Sequence, residues 1–231
     1  MNIVYWSDYA CPFCYIGETH MKRAMEHLRM EAAMEMKAFE LDPSAGKQVA
    51  EPTVDRFARK YGLSKEAAQA RIDGISQMGR DCGLDFRYAE TRYTNTFDAH
   101  RLTKLAVEMG GAALADRISE RLYRAYFTES LELADHDVLR KIASEEGMGE
   151  VRDFLLSDRY ADEVRLDERE AQRYGISAVP YFVINGRYAV PGAMPVEELE
   201  RVLKKAAEED AAVSVQGMAC GPDGCRIADH K

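Results

Sequence analysis

The sequence predicts an α/β fold interrupted by an all-helical insertion. Three observations predict it: a βαβ pattern at the start, a long stretch of helical periodicity without strand chemistry, and a β-hairpin followed by a helix towards the end. Asn2–Ser7 is short and rich in Ile, Val, Tyr and Trp, which reads as a buried strand, and Asp8–Ala10 reads as a turn. Pro12 suits the first helical position, where its missing N–H costs nothing, and the spacing Ile16, Met21, Met25, Leu28 carries a helix to about Arg29. Met34–Leu41 alternates Met34, Met36 and Ala38 against Glu35, Lys37 and Phe39, a second strand parallel to the first across the helix.

After Asp42-Pro43 the pattern turns helical, with helices predicted at Thr53–Tyr61, Ser64–Asp81, Thr96–Met109, Ala112–Phe127 and Asp135–Glu146, and shorter pieces from Glu150 to Tyr174. Strand chemistry returns at Tyr181–Ile184, Asn185-Gly186 is a strong hairpin signal, and Tyr188–Val190 completes the pair. Pro195 opens a last helix, Val196 to about Glu208. The predicted organisation is a discontinuous α/β domain of residues 1–42 and 175–210, a helical insertion of residues 43–174, and a tail of residues 211–231 with its own cysteine pair.

Composition narrows the function. With 46% hydrophobic residues, 231 residues suffice for a real core. The 31 Lys+Arg against 40 Asp+Glu leave a formal charge of -9, which suits no phosphate backbone, so no nucleic-acid partner is expected. A membrane span needs about 18 or more apolar residues, and the best run, Ile176–Ile184, is short and broken by Ser177 and Pro180. The opening Met1-Asn2-Ile3-Val4-Tyr5-Trp6-Ser7-Asp8 leaves no room for a secretory leader, so a soluble, cytoplasmic protein without membrane partner is expected. Five cysteines in that setting argue for thiol chemistry or metal binding, because structural disulfides are rare there.

Cys11-Pro12-Phe13-Cys14 is a C-x-x-C unit between a strand and a helix. A thiolate at a helix N-terminus meets free N–H groups and the positive end of the dipole, which favours the ionised form. Cys11 is therefore expected to be an exposed nucleophile, and Cys14, one turn further in, the resolving thiol. The same spacing also serves as half of a zinc site. Val179-Pro180 stands immediately before a buried strand, where proline cannot donate to a ladder and where an X-Pro bond can be cis.

Strand, Cys11-Pro12-Phe13-Cys14 helix, second strand, helical insertion, Val179-Pro180 before a hairpin, then a helix: over Met1 to about Lys205 this resembles the thioredoxin-fold DsbA family. Five segments look like its FrnE-like branch: Ser7–Gly17, Phe39–Pro43, Asn95–Leu102, Ala125–Glu129 and Asn185–Tyr188. The resemblance implies a thioredoxin-like fold and a disulfide oxidoreductase or isomerase without cofactor. Cys11 would be its attacking thiol, Cys14 its resolving thiol, and Pro180 a cis-proline facing the pair. The backbone of Val179 would align the substrate as an added strand. Substrates would be protein or low-molecular-weight thiols and disulfides. Where the periplasmic oxidases carry Pro-His between the cysteines this chain has Pro-Phe, and Phe13 supplies no positive charge, which argues against strong oxidising power.

Cys220-Gly221-Pro222-Asp223-Gly224-Cys225 suits a type I turn that brings the two cysteines to bridging distance. A disulfide closing so short a loop removes only ~2 kcal/mol of chain entropy, so an accessory redox role is favoured over a structural one. A C-terminal Cys-x4-Cys pair also occurs in FrnE-like proteins. Cys82 has no partner nearby in sequence and reads as a buried, inert thiol. His20 and His27 read as solvated or helix-end residues, whereas His100, inside a segment of the resemblance, is a candidate either to pack in the core or to line the cleft. Trp6, Tyr9, Phe13, Tyr15, Tyr181 and Phe182 flank the two active segments and divide between core and an apolar docking rim.

Two other classes compete. Glutathione-dependent isomerases and kappa-class transferases share the insertion plan, but they typically carry serine for the first cysteine and lack a resolving one. A zinc-binding thiolate protein would use Cys11, Cys14, Cys220 and Cys225 together.

Overall fold

β1 (Asn2–Ser7) carries Ile3 and Tyr5 on one side and Val4 and Trp6 on the other, so it has to lie inside a sheet covered on both faces. The structure, a computed structural model, describes the backbone of residues 1–216, 220–221 and 224–225 and the side chains of residues 1–210. In it β1 pairs parallel with β2 (Ala33–Ala38), Ile3 opposite Met34, and antiparallel with β3 (Tyr181–Ile184), Ile3 opposite Ile184. β4 (Tyr188–Pro191) adds antiparallel to β3, giving the order β2-β1-β3-β4.

Helix α1 (Pro12–His27) returns the chain from β1 to β2 as the βαβ pattern predicts. Between β2 and β3 come α2 (Thr53–Tyr61), α3 (Lys65–Asp81), a 3-10 turn at Tyr88–Glu90, α4 (Phe97–Phe127), α5 (His136–Glu145), α6 (Arg152–Leu155) and α7 (Ala161–Arg173). The last helix, α8, spans Val196–Gln216 and so runs beyond the expected end near Glu208. A two-residue ladder, Cys220–Gly221 with Gly224–Cys225, places Cys220 opposite Cys225 along the backbone.

On one face of the sheet Ile3, Tyr5, Phe182, Ile184 and Val190 pack with Met21 and Ala24 of α1 and Leu199 and Leu203 of α8. On the other face the Trp6 indole N–H donates to the Asp167 carbonyl of α7 at 3.0 Å. The buried Asp167 carboxylate accepts the Ala38 N–H at 2.9 Å and pairs with Lys104, so α7 closes the Ala38 end of the edge strand. The insertion makes no separate core: Tyr15 of α1 stacks on Tyr123 of α4 at 4.8 Å between ring centres, in the same cluster as Trp6 and Cys14.

Three further elements differ from expectation. β2 ends at Ala38 and not Leu41, because the chain leaves the sheet and the Leu41 N–H donates to the Asp8 carboxylate at 2.7 Å. The helices expected at Thr96–Met109 and Ala112–Phe127 are one element, α4, broken only at Gly110 and Gly111. Gly111 takes φ 67, a conformation that glycine adopts without a side-chain clash, and the helix resumes because Leu114, Ile118 and Leu122 continue the buried stripe of Leu102 and Leu105. The third is the 3-10 turn at Tyr88–Glu90, which carries Tyr88 into the core. Buried Arg101 holds this layer together, donating to Asp98 at 2.7 Å and to the backbone carbonyls of Phe154, Ser157 and Arg159. Among the described residues no helix is long and apolar enough to cross a membrane.

Candidate active site

The tight turn after β1 is built by Asp8. Its buried carboxylate accepts the Ala10 N–H at 3.2 Å, the Thr96 hydroxyl at 2.9 Å and the Leu41 N–H at 2.7 Å, tying together the turn, the start of α4 and the exit of β2. The Asp8 carbonyl accepts the Cys11 N–H at 3.0 Å, which sets Cys11 as the N-cap of α1 with Pro12 behind it. The Cys11 thiol points at the cis Val179-Pro180 bond and lies 3.5 Å from the Val179 carbonyl oxygen, to which it can donate. The two cysteines of the C-x-x-C unit and the Val179-Pro180 dipeptide, far apart in sequence, thus meet at one place.

Both cysteines are free thiols. Cys11 is only 4% exposed, where an exposed nucleophile was expected. It lies recessed in the lining of a cleft of about 640 Å³ to which the insertion contributes much of the wall. Phe57 of α2, Ile75 of α3, and Tyr88 and Tyr93 of the following segment face Phe13 and Val179 across it. Phe13, the more exposed side chain of the pair of inner residues, is part of the lining.

Cys14 is fully buried, deeper than Cys11 as anticipated, and the Asp8 N–H donates to its sulfur at 3.5 Å. Burial pushes its thiol well above the ordinary value, and the neighbouring Cys11 adds to the rise by hydrogen bonding and charge. The Ser7 hydroxyl and the Asp8 N–H pull the other way. Ser7 in turn shares a 2.6 Å hydrogen bond with the Tyr123 hydroxyl of α4.

Of the two roles open to His100 the structure corrects the cleft-lining one: it is buried behind the turn, packed in the core, and not among the residues lining the cleft. Its ring rests on Tyr9 at 4.9 Å, and its Nε2 lies 3.7 Å from the Asp8 carboxylate without a hydrogen-bond partner. Nearby Glu40 is raised by burial, an effect countered by His100 and Arg165. Of the flanking aromatics, Trp6, Tyr9, Tyr15 and Phe182 are core, and the rim comes mainly from the insertion.

Cys82 is buried, as expected, but not alone. His20 Nε2 lies 3.0 Å from its sulfur and His20 Nδ1 2.8 Å from the Met194 carbonyl, so His20 bridges α3 and the loop before α8 instead of facing water. His27 keeps a helix-end role, paired with Glu200 at 2.9 Å. The side chains of Cys220 and Cys225 lie outside the described residues, and with them the four-thiolate zinc alternative. Among the described residues no group of three or more His, Cys, Asp or Glu side chains is placed to hold a metal ion.

Sequence reasoning missed Arg56, Lys60 and Arg71 in the cleft wall. A signal existed: Arg56 and Lys60 are one turn apart on α2, and Arg71, Ile75 and Met78 recur at helical spacing on α3. Gly17 was also passed over as part of a motif. A Cβ there would lie 2.8 Å from Pro180 Cγ and 3.3 Å from the Ala193 backbone, so this glycine is what lets the Val179-Pro180 loop close on α1. Gly17→Ala is expected to displace that loop and lower disulfide turnover by about tenfold or more, because small misplacements of reacting groups are costly. Turnover equal to wild type would refute the role given to the contact.

Residues 2–204 match the DSBA-like thioredoxin domain family. The chain is 35% identical to a probable DsbA oxidoreductase from Streptomyces coelicolor, with a TM-score of 0.84 over 99% of this chain and all of that one. It is 27% identical to the uncharacterized protein YwbO of Bacillus subtilis over 88% of this chain and 96% of that protein. The fold is also similar to that of the cytosolic disulfide reductase DsbM from Pseudomonas aeruginosa, at 16% identity, TM-score 0.58, and 93% and 100% of the two chains.

Proposed function

The chain belongs to the DsbA-like family of thioredoxin-fold oxidoreductases, and from that premise we propose that it is a cytoplasmic disulfide oxidoreductase of the FrnE-like branch working through Cys11 and Cys14. The observation that carries this reading is the Cys11 sulfur at the start of α1, 3.5 Å from the Val179 carbonyl and open to the cleft. In the reducing direction the Cys11 thiolate attacks one sulfur of a substrate disulfide. A Cys11–substrate disulfide forms, the substrate S–S bond breaks, and the first substrate thiolate leaves. The Cys14 thiolate then attacks the Cys11 sulfur, releasing the second substrate thiolate and leaving a Cys11–Cys14 disulfide. Two electrons pass from the pair to the substrate, and the same steps run backwards oxidise a dithiol.

The Val179 backbone is suited to align an extended substrate, with Phe13 beside it as an apolar contact. Cys220 and Cys225 are assigned as an accessory dithiol on sequence grounds. A resolving Cys14 beside Cys11 favours this chemistry over glutathione-dependent isomerisation or conjugation, which needs one thiol-binding site and no second protein sulfur.

The direct test is stoichiometric. Reduced protein mixed with excess hydroxyethyl disulfide should lose the Cys11 and Cys14 thiols together, with peptide mapping finding them joined. Retention of both thiols would overturn the proposal.

A further inference from the structure

An acidic protein would be expected to show carboxylates around any large opening, since 40 of its residues are Asp or Glu. The cleft above Cys11 has none among its described lining residues, and it has three cations: Arg56 and Lys60 on α2 and Arg71 on α3. These three differ from their neighbours on the same helices. Arg59 pairs with Glu51 at 2.5 Å and Lys65 with Asp55 at 2.6 Å, outside the cleft. Among the described residues Arg56 is held only by its guanidinium 3.2 Å over the Tyr93 ring, Lys60 is 5.6 Å from the Tyr61 ring centre, and Arg71 has neither ion pair nor hydrogen bond. Unpaired cations converging on an apolar, partly enclosed space raise the local potential and attract anions.

We propose that the cleft binds a low-molecular-weight disulfide carrying carboxylates, with Arg56, Lys60 and Arg71 taking the carboxylates and Cys11 attacking the sulfur. This rests on the thiol–disulfide chemistry proposed above and names its substrate class. Size favours a small molecule over a folded protein. A cleft of about 640 Å³ is in the range of small-ligand sites, and Cys11, 4% exposed in its lining, is out of reach of a disulfide on a broad protein surface. Arg is suited to the task because its planar donors match a carboxylate, and its stacking on Tyr93 fixes the guanidinium plane in advance.

The test uses three disulfides of similar size: dithiodipropionate as dianion, hydroxyethyl disulfide as neutral, and cystamine as dication. Each kcat/KM is divided by the rate of the same disulfide with free dithiothreitol, which removes intrinsic reactivity. The dianion should exceed the neutral compound by about tenfold and the dication by more, with the preference shrinking in 0.5 M salt as screening shortens the reach of the cations. In Arg56→Gln/Lys60→Gln/Arg71→Gln the dianion-to-neutral ratio should fall to about one, whereas Arg59→Gln, on the same helix but outside the cleft, should keep it. No preference in the wild type, a preference untouched by the triple replacement, or insulin reduced more efficiently than the dianion would each overturn the inference. Turnover of none of the disulfides would instead overturn the thiol–disulfide reading itself.

Discussion

Cys11→Ser should abolish disulfide reduction, and Cys14→Ser should leave the protein covalently joined to its first substrate. The asymmetry follows from position. Cys11 lines the cleft and faces Val179, so a substrate sulfur can approach it in line with the bond to be broken. Cys14 is fully buried and packed under Ser7 and Asp8, so no substrate reaches it, and among the described residues the electrophile open to it is the Cys11 sulfur once that carries a substrate. A serine at residue 11 has no ionised form at neutral pH to attack with, and the reaction falls to the uncatalysed level. A serine at residue 14 leaves the first attack intact and removes the second, so a stoichiometric mixed disulfide accumulates. Mass spectrometry of the Cys14→Ser protein after reaction should find a single adduct on Cys11. An adduct on Cys82, or wild-type insulin reduction by Cys11→Ser, would sink the assignment.

The parts of this site that were legible in the sequence are those made by short-range rules. Pro12 at the first helical position puts Cys11 at the N-cap, Asn185-Gly186 turns the hairpin, and the alternation in Met34–Ala38 makes the parallel strand. The resemblance added what periodicity alone does not hold, the facing of Val179-Pro180 and Cys11, and the thioredoxin fold with helical insertion is the fold found. What escaped depends on how distant elements settle on one another. Cys11 sits recessed in a cleft to which α2 and α3 contribute lining residues, and His20 finds Cys82 across 62 residues of chain. His100 reads as either a core or a cleft residue from its motif, and it faces Tyr9 and Asp8, because the face of α4 that it occupies is turned to the core. The break at Gly110-Gly111 shows the limit of punctuation: two glycines end a helix by local rules, but an unbroken apolar stripe on either side restarts it in line.

The rate at which the mixed disulfide is resolved should climb steeply with pH, about tenfold per unit between pH 6 and 8. Resolution needs the Cys14 thiolate, and burial holds the Cys14 thiol well above its ordinary value. Cys11 raises it further in the reduced protein, but in the mixed disulfide Cys11 carries no charge, so burial, the largest cause, is what remains. Far below its titration point each added pH unit multiplies the ionised fraction by about ten, so the climb should show no levelling across this range. The Ser7 hydroxyl lowers the Cys14 value and is itself oriented by Tyr123, so Ser7→Ala should slow resolution at pH 7 by roughly tenfold, the worth of a hydrogen bond to a charged group, and move the profile to higher pH. Linkage carries the same sign. A thiol raised by folding stabilises the fold below its unfolded value and loses that contribution as pH rises, so the reduced protein should become less stable above about pH 8.5, while the Cys11–Cys14 disulfide form, with no Cys14 proton to lose, should not show this decline. Both are measurable: a mixed disulfide formed on Cys11 at low pH with a small thiosulfonate, then jumped to higher pH, releases its thiol at the resolution rate, and urea titrations of the two redox forms give the stabilities. A flat resolution profile from pH 6 to 8, or a Ser7→Ala profile superimposable on the wild type, would mean that Cys14 is ionised by some route other than the Ser7 hydroxyl and the Asp8 N–H.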